Sequence, residues 1–193
     1  MSNAPPIEGF QDYARRLSAA VALSDWHGIE SLARAIRACW RDGRQVFICG
    51  NGGSAANALH IANDMFYGAA GGRAPGLRIH ALPANVSVLT CLANDEGYAA
   101  VYSRQLAALA RPGDLLIVLS GSGNSANILA ALEQARGMEV RSFAILGYSG
   151  GKARTLADEV LHFAVDDMQI AEDLQLIVGH MIMQLLCAAG PEG

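Results

Sequence analysis

The chain has 193 residues, of which 52% are hydrophobic and 17% are charged, with 21 glycines and a formal net charge of −4. The high hydrophobic fraction and low charge exclude an intrinsically disordered chain, and the negative net charge argues against a protein that binds nucleic acid. Because so few charged residues cannot cover a small monomer, we expect part of its surface to be buried between subunits.

Residues 1–42 are predicted to form a helical hairpin, because apolar residues recur at helical spacing on both sides of a break at Ser24-Asp25. Beyond the hairpin, short apolar runs predict five strands, at 45–50, 77–84, 114–122, 140–147 and 159–165. Helical patterns alternate with them, at 54–67, 86–108, 125–136, 151–157 and 169–188. This alternation predicts one α/β domain, 1–193, with a core at 43–193: a doubly wound, flavodoxin-like parallel sheet of five strands flanked by helices.

Two predicted strands end in loops rich in glycine and hydroxyl groups. The first strand runs into Asn51-Gly52-Gly53-Ser54, and the third runs into SGSGNS at 120–125. Backbone N–H groups converge where such loops enter a helix, and the serine hydroxyls suit the oxygens of a phosphate. Neither loop matches a P-loop or a dinucleotide fingerprint. The pair therefore predicts a phosphate site without a nucleotide cofactor, at the carboxyl ends of the strands.

A third loop offers a competing interpretation. Residues 147–151 fit the pattern G-x-S-x-G around Ser149, and several aspartates and then His180 follow in the order of an α/β-hydrolase triad. No HGGG-like oxyanion loop accompanies it, and the chain is short for that fold. We therefore favour phosphate binding over hydrolysis.

Two long uncharged segments, 115–132 and 174–191, could be interpreted as membrane-spanning helices. The first has six polar or glycine residues in a row at its centre, and the second contains Gln175, His180 and Gln184. Such groups are costly inside a bilayer, so we predict that both segments are buried in protein and that a membrane is not a partner.

The N-terminus lacks a basic segment followed by an apolar one, so we expect no secretory signal. The four cysteines, Cys39, Cys49, Cys91 and Cys187, include no CxxC pair. We therefore expect neither disulfides nor a structural zinc site, but small buried side chains in a cytoplasmic protein.

Ionisable side chains recur on two of the predicted helices. His60 and Asp64 lie four residues apart and share a helix face, whereas Glu172 and His180 lie on the uncharged last helix. Carboxylates and histidines beside a phosphate site could provide general acid–base chemistry or bind a divalent metal, and their spacing does not distinguish the two. Glu172 and His180 are about 12 Å apart in helix rise, so both would have to lean inward to share one ion.

Five segments carry a resemblance to a known family: CGNGGSAANALHIANDM (49–65), LANDEGYAAVYSRQL (92–106), VLSGSGNSANILAAL (118–132), LGYSGGKARTLAD (146–158) and EDLQLIVGHMIMQLL (172–186). Together with the hairpin they make nearly the whole chain similar to the SIS (sugar isomerase) domain family, and within it to the phosphoheptose isomerase branch. The resemblance implies an aldose–ketose isomerase that converts sedoheptulose 7-phosphate to a D-glycero-D-manno-heptose 7-phosphate for bacterial lipopolysaccharide. It also implies a homotetramer with sites between subunits.

The resemblance also assigns roles by position. Asn51, Gly52, Gly53 and Ser54 would line the sugar site, and Asn94 and Asp95 would meet the sugar hydroxyls. The phosphate would be held by Ser120, Ser122 and Ser125, assisted by the Gly121 backbone. His60 matches a zinc ligand of some members, and His180 matches both a ligand and the catalytic acid/base.

Three positions depart from the family. Asp64 stands where the family has glutamate, Glu172 where it has glutamine, and Gly68 where it has arginine. The shorter Asp64 displaces the carboxylate by about 1.5 Å, a misplacement that costs a catalytic base heavily. The added charge of Glu172 would strengthen a site for a hard cation or supply a replacement base. The departures leave open a substrate other than the usual heptose.

We therefore predict a cytoplasmic phosphosugar isomerase that works through an enediol. Asp64 or Glu172 would be the base and His180 its acid/base partner, and zinc or another divalent metal could be held by His60, Asp64, Glu172 and His180. The last helix, 169–188, would be buried between subunits and bring His180 to a shared site. The alternative is a non-catalytic SIS protein that senses a phosphosugar or docks a protein, like a replication-initiator-associating relative.

Overall fold

The computed structural model describes residues 8–69, 71 and 76–191. Five parallel strands form one sheet: β1 (Gln45–Gly50), β2 (Arg78–Ala81), β3 (Leu115–Ser120), β4 (Arg141–Leu146) and β5 (Glu159–His162). Their order is β2-β1-β3-β4-β5, the flavodoxin-like arrangement. The predicted fold class is confirmed.

Helices cover the sheet on both faces. They are α1 (Phe10–Leu23), α2 (His27–Arg41), α3 (Gly53–Asn63), α4 (Val86–Asp95), α5 (Ser103–Leu109), α6 (Ala126–Gly137), α7 (Ala153–Leu156) and α8 (Met168–Ala189). A π-helical turn, Asp64–Gly68, continues α3, and single 3₁₀ turns lie at Leu82–Ala84 and Tyr98–Ala100.

Alternation along the strands creates two hydrophobic clusters. In β1, Val46 and Ile48 face the cluster formed with α2, α3 and α8, whereas Phe47 and Cys49 face the cluster formed with α5 and α6. Side chains in a strand point alternately to the two faces, so a strand buried on both sides must be apolar throughout. This explains why the strand sequences are continuous apolar runs.

The two N-terminal helices differ in their packing. Six side chains of α2 are buried, including Leu32 and Ile36, whereas α1 has no buried residue among those described. Polar contacts attach α1 to α8 and the turn before it: the Tyr13 hydroxyl donates to Asp173 at 2.6 Å, and Arg16 donates to Asp167 at 2.6 Å.

Several predicted elements were too long, including the strand predicted at 159–165, which ends at His162. The strand predicted at 77–84 ends at Ala81, because Pro83 cannot donate to a ladder and the chain turns into the 3₁₀ segment. The helix predicted at 86–108 is interrupted after Asp95, where Gly97 takes a φ of +90°, and it resumes as α5. The apolar spacing continued through this break and concealed it.

Helix α8 is long and apolar enough to cross a membrane by length and composition alone. Its Leu174, Val178, Ile182 and Leu186 side chains are at most 2% exposed and belong to the core cluster. It packs as a core helix, as predicted for 174–191, and the other uncharged segment is divided between β3 and α6.

All four cysteines are free, as expected. Cys39 and Cys49 are buried, but Cys91 is exposed on α4 and Cys187 is half-buried, so the expectation of four buried side chains was wrong.

Candidate active site

The two glycine-rich loops meet at the switch point of the sheet, where the order in which the chain adds strands reverses. The chain passes from β1 outward to β2 on one side and returns to β3 on the other, so the carboxyl ends of β1 and β3 are neighbours. Ligands of open α/β sheets bind in the crevice at such a switch point. The fold therefore brings together Asn51-Gly52-Gly53-Ser54 and the 120–125 loop, as predicted.

Hydrogen bonds hold the first loop in place. The Asn51 and Asn127 amides donate to each other at 2.8 Å in both directions, and the Tyr98 hydroxyl donates to Asn51 Oδ1 at 2.9 Å. The buried Tyr102 hydroxyl donates to the carbonyl oxygen of Gly50. The loop is thus fixed from α6 and from the turn after α4.

The second loop keeps some hydroxyl groups exposed. Ser120 is only 6% exposed, and its Oγ accepts the Gly123 N–H at 3.0 Å, which closes the loop. Ser122 and Ser125 are partly exposed, and the Ser125 side chain makes no capping bond at the start of α6. The loop therefore presents hydroxyl and backbone donors at a helix N-terminus, as an anion site requires.

The third loop, 147–152, packs against the second and is hydrogen-bonded to it. The Ala153 N–H donates to the Gly123 carbonyl at 2.9 Å, and the Lys152 N–H donates to Asn124 Oδ1 at 3.0 Å. His180 is paired instead with a histidine of α3. The triad expected of a serine hydrolase is therefore not assembled around Ser149.

His60, Asp64 and His180 form a side-chain cluster, hereafter the histidine–aspartate cluster. The Nε2 atoms of the two histidines are 3.0 Å apart, and Asp64 Oδ2 lies 3.4 Å from His60 Nε2 and 3.7 Å from His180 Nε2. Both imidazoles are about half exposed, whereas Asp64 is 24% exposed. The cluster therefore lies at the surface of the chain with its ligand atoms converging.

The backbone that carries Asp64 is unusual. Helix α3 ends at Asn63, and the chain continues as a π-helical turn from Asp64 to Gly68. Such turns are rare and are frequent at functional sites. Asp64 itself continues the α-helical path, with its N–H bonded to the His60 carbonyl oxygen, so the widened turn begins at the residue that contacts both imidazoles.

The donor set fits a divalent cation. Ligand atoms 2.0–2.2 Å from a tetrahedral zinc lie roughly 3.3–3.6 Å apart. The three separations in the histidine–aspartate cluster, 3.0, 3.4 and 3.7 Å, bracket this range. Two imidazoles and one carboxylate with an exposed side are also the composition of an open, catalytic type of metal site.

Glu172 belongs to α8, and its carboxylate lies apart from this cluster, beside the first residue of α3. Its carboxylate accepts the Ser54 N–H and occupies the space beside the Cα of Gly53, where any side chain would collide with it. Helices α3 and α8 run alongside each other, with Ile61 against Gly179 two turns further on. Of the four predicted metal ligands, three converge within one chain and Glu172 does not.

Burial raises the pKa of the Glu172 carboxyl, and the neighbouring Asp173 adds to the effect, although the Ser54 N–H opposes it. A carboxyl with a raised pKa is a stronger base near neutral pH. The Glu172 carboxylate thus lies beside the sugar loop in a partly desolvated environment.

The predicted sugar contacts Asn94 and Asp95 lie exposed at the end of α4. The Asn94 amide donates to Asp95 at 2.7 Å, and the Cys91 thiol donates to the same carboxylate at 3.4 Å. Within the described part of the chain, no hydrogen bond links either residue to the two loops.

A family model described as "SIS domain" matches residues 9–147, which include α1 to β4 and both loops. The chain belongs to the SIS domain family.

Individual SIS relatives extend the match over most of the chain. It is 39% identical to a phosphoheptose isomerase of Akkermansia muciniphila over 86% of this chain and 87% of that one. It is 41% identical to a phosphoheptose isomerase of Chlorobaculum parvum, over 90% and 84% of the two chains.

Solved SIS structures agree with the fold. Phosphoheptose isomerase GmhA of Neisseria gonorrhoeae has a TM-score of 0.84 at 28% identity and covers 93% of this chain and 95% of its own. The phosphoheptose isomerase of Francisella tularensis has a TM-score of 0.82 at 26% identity, covering 92% and 93% of the two chains. Matches to isomerases over nearly the full length favour the enzyme over the non-catalytic SIS alternative.

Sequence reasoning missed Tyr98 and Asn127 as residues that hold this SIS site. Asn127 is 1% exposed on α6, among the buried Ile128, Ala131 and Leu132. A polar side chain within the apolar face of a predicted helix was the available signal, because buried amides need partners. Tyr98 gave no such signal, because it lies in the break that the apolar spacing concealed.

Proposed function

We propose that the chain is a phosphosugar aldose–ketose isomerase that converts sedoheptulose 7-phosphate to a heptose 7-phosphate through an enediol. The observation that carries the proposal is the histidine–aspartate cluster, which is formed between α8 and the helix that leaves the sugar loop, with its π-helical turn. The named function of the relatives at 39% and 41% identity supports the substrate.

The reaction moves two protons. A base removes the proton from C1 of the ketose, which leaves an enediol, and returns a proton to C2. A second group carries the hydroxyl proton from one oxygen to the other. Asp64 and His180, 3.7 Å apart, can serve adjacent carbon and oxygen atoms, so we assign Asp64 as base and His180 as acid/base partner.

The same cluster is proposed to hold zinc or another divalent metal through His60, Asp64 and His180. A metal bound there would polarise the sugar carbonyl. In that form the Asp64 carboxylate is occupied, and Glu172 is the carboxylate that remains free to accept the carbon-bound proton.

Paired variants separate the two carboxylates. In metal-free protein, Asp64→Asn is expected to lower kcat/KM for sedoheptulose 7-phosphate by at least about 100-fold, because general-base catalysis contributes about 10² to 10⁴. In zinc-loaded protein, Glu172→Gln is expected to cause the larger loss, whereas Asp64→Asn also lowers the zinc content. The assay uses a panel of C5–C7 sugar phosphates on protein of defined metal content. Equal activity of both variants and wild type in both forms would contradict the assignment.

We further propose that the active enzyme is a homotetramer with sites shared between subunits. Seven residues of α3 separate Gly53, beside Glu172, from His60, which is roughly 10 Å of helix rise. Glu172 of one chain is therefore not among the groups that converge at its histidine–aspartate cluster. A second copy can supply the missing group, and the helical segments that carry the cluster also carry exposed apolar side chains: Leu59, Phe66, Tyr67, Met181 and Leu185.

Leu185→Asp is expected to dissociate the assembly, because it places a charge in an apolar interface. Light scattering after gel filtration measures the mass. Leu23→Asp, at an apolar position on α1 that is 86% exposed against 49% for Leu185, is the control and should keep the wild-type mass. A Leu185→Asp protein of unchanged mass would place the interface elsewhere.

The protein is proposed to act in the cytoplasm, with no nucleic-acid or membrane partner. The four free cysteines are typical of a reducing compartment and support this location.

A further inference from the structure

The phosphate site has a deficit of positive charge. A phosphate monoester carries about −1.5 to −2 charges at neutral pH. The two loops that face the crevice, 51–54 and 120–125, consist only of asparagine, glycine and serine. Neutral donors bond to the phosphate oxygens but do not balance the charge, so a cation beside the loops would add Coulomb attraction to the binding.

The chain has one lysine, Lys152, and it lies beside the phosphate loop. Its N–H donates to Asn124 Oδ1 at 3.0 Å. The preceding Gly151 lies so close that a Cβ there would overlap the Ser122 carbonyl oxygen and lie 2.7 Å from Asn124 Nδ2. The Lys152 backbone is therefore fixed against the phosphate loop at the carboxyl edge of the sheet.

The ammonium group of Lys152 is available for a ligand. The residue is exposed, and no hydrogen bond or ion pair engages its side chain within residues 8–69, 71 and 76–191. Other cations have partners: Arg104 contacts Glu96, Arg136 contacts the Leu156 carbonyl and Arg141 contacts Glu159. A long, flexible stem lets the Lys152 ammonium reach toward a ligand in the adjacent loop.

Arg154, two residues further on, is a second exposed cation. Its stem lies against Gly150 on the side where His162 of β5 approaches. Strand β5 is the outer strand, two positions from β3 and farther from the crevice. The same short segment therefore offers one cation whose backbone is bonded to the phosphate loop and a second whose stem packs on Gly150 beside β5.

We propose that Lys152 binds the phosphate group of the substrate held by the 120–125 loop. The inference rests on the proposed phosphosugar function, to which it adds a charged contact that also makes this position sensitive to acylation. Acylation of one amine would remove the only lysine charge in the chain and weaken substrate binding.

The first test uses the wild-type chain and inorganic phosphate as the probe. The protein is acetylated with and without phosphate, with chloride at matched ionic strength as the control, and mass spectrometry follows the peptide that contains Lys152. At ten times its dissociation constant, phosphate is expected to slow acetylation about tenfold, because only the free protein reacts. An unchanged rate at saturating phosphate would overturn the proposal.

The second test compares Lys152→Met, Lys152→Arg and the charge-matched control Arg154→Met. Lys152→Met is expected to raise KM for the sugar phosphate about 10- to 100-fold with a smaller change in kcat, as removal of a charged hydrogen bond does. Lys152→Arg should restore most of the affinity, and Arg154→Met should stay within about twofold of wild type. A merely structural lysine would not give this order.

The experiments can contradict the Lys152 contact and the isomerase activity independently of each other. Phosphate protection of Lys152 in a chain that isomerises no sugar phosphate would support the lysine contact and contradict the isomerase. Normal turnover by Lys152→Met with unchanged KM would contradict the lysine contact and leave the isomerase intact.

Discussion

Replacing His180 with alanine is expected to lower kcat/KM for the sugar phosphate by about 10²- to 10⁴-fold. His180 Nε2 lies 3.0 Å from His60 Nε2 and 3.7 Å from Asp64 Oδ2, so the substitution removes both the acid/base group and one of three converging ligands. The phosphate loop is untouched, so the affinity for inorganic phosphate should remain. Steady-state kinetics and a phosphate titration measure the two effects.

His27→Ala is the matched control for this variant. His27 is 98% exposed at the start of α2, and among the residues that the structure describes its ring pairs with the exposed Asp25 alone. Its removal should leave kcat/KM within about twofold of wild type, as is usual for a surface substitution. A folded His180→Ala protein with nearly wild-type turnover would remove His180 from the mechanism.

Gly123→Ala is expected to have the largest effect on the phosphate loop. Gly123 has a φ of +66°, and a Cβ there would overlap the carbonyl oxygen of Gly150, which is backbone and cannot rotate away. Strain of this kind costs about 1–3 kcal/mol before the displaced loop is counted. For a chain of this size we expect the melting temperature to fall by roughly 5–10 °C, together with a rise in KM.

Gly137→Ala supplies the comparison. Gly137 ends the same helix, α6, and a Cβ there would meet nothing within 4 Å. Alanine favours a helix over glycine by up to about 1 kcal/mol, so this variant should be as stable as wild type or more so. If thermal unfolding shows both variants melting together, the close packing of the phosphate loop against 147–152 is not what holds the site.

The order of elements could be predicted from the sequence because each strand is a short apolar run bounded by glycine, proline or aspartate. A strand buried on both faces must be apolar, and a loop at a strand end needs residues that turn. The same local rules failed at Gly97. There Tyr98, Val101, Tyr102 and Leu106 keep a helical spacing, although the glycine turns the chain and only tertiary packing reveals the break.

The candidate site could be predicted only in part. The two loops were identified by composition, and the shared face of His60 and Asp64 follows from helix periodicity. The pairing of His60 with His180 joins residues 120 positions apart, and a local sequence pattern cannot predict a contact over that separation. The separation of Glu172 from the histidine–aspartate cluster likewise depends on how α3 and α8 lie against each other, which the sequence does not state.

The central claim is that this chain isomerises a phosphosugar by moving a proton between two carbons. Its most direct test is the conversion of sedoheptulose 7-phosphate in D₂O, followed by mass spectrometry and NMR of the heptose 7-phosphate. The base can exchange the proton it has removed with solvent before it returns a proton to C2, so we predict deuterium at C2 of the product at a level that rises as the reaction is held at equilibrium over repeated turnovers. Product without deuterium at C2, or no product at any metal content, would contradict the claim.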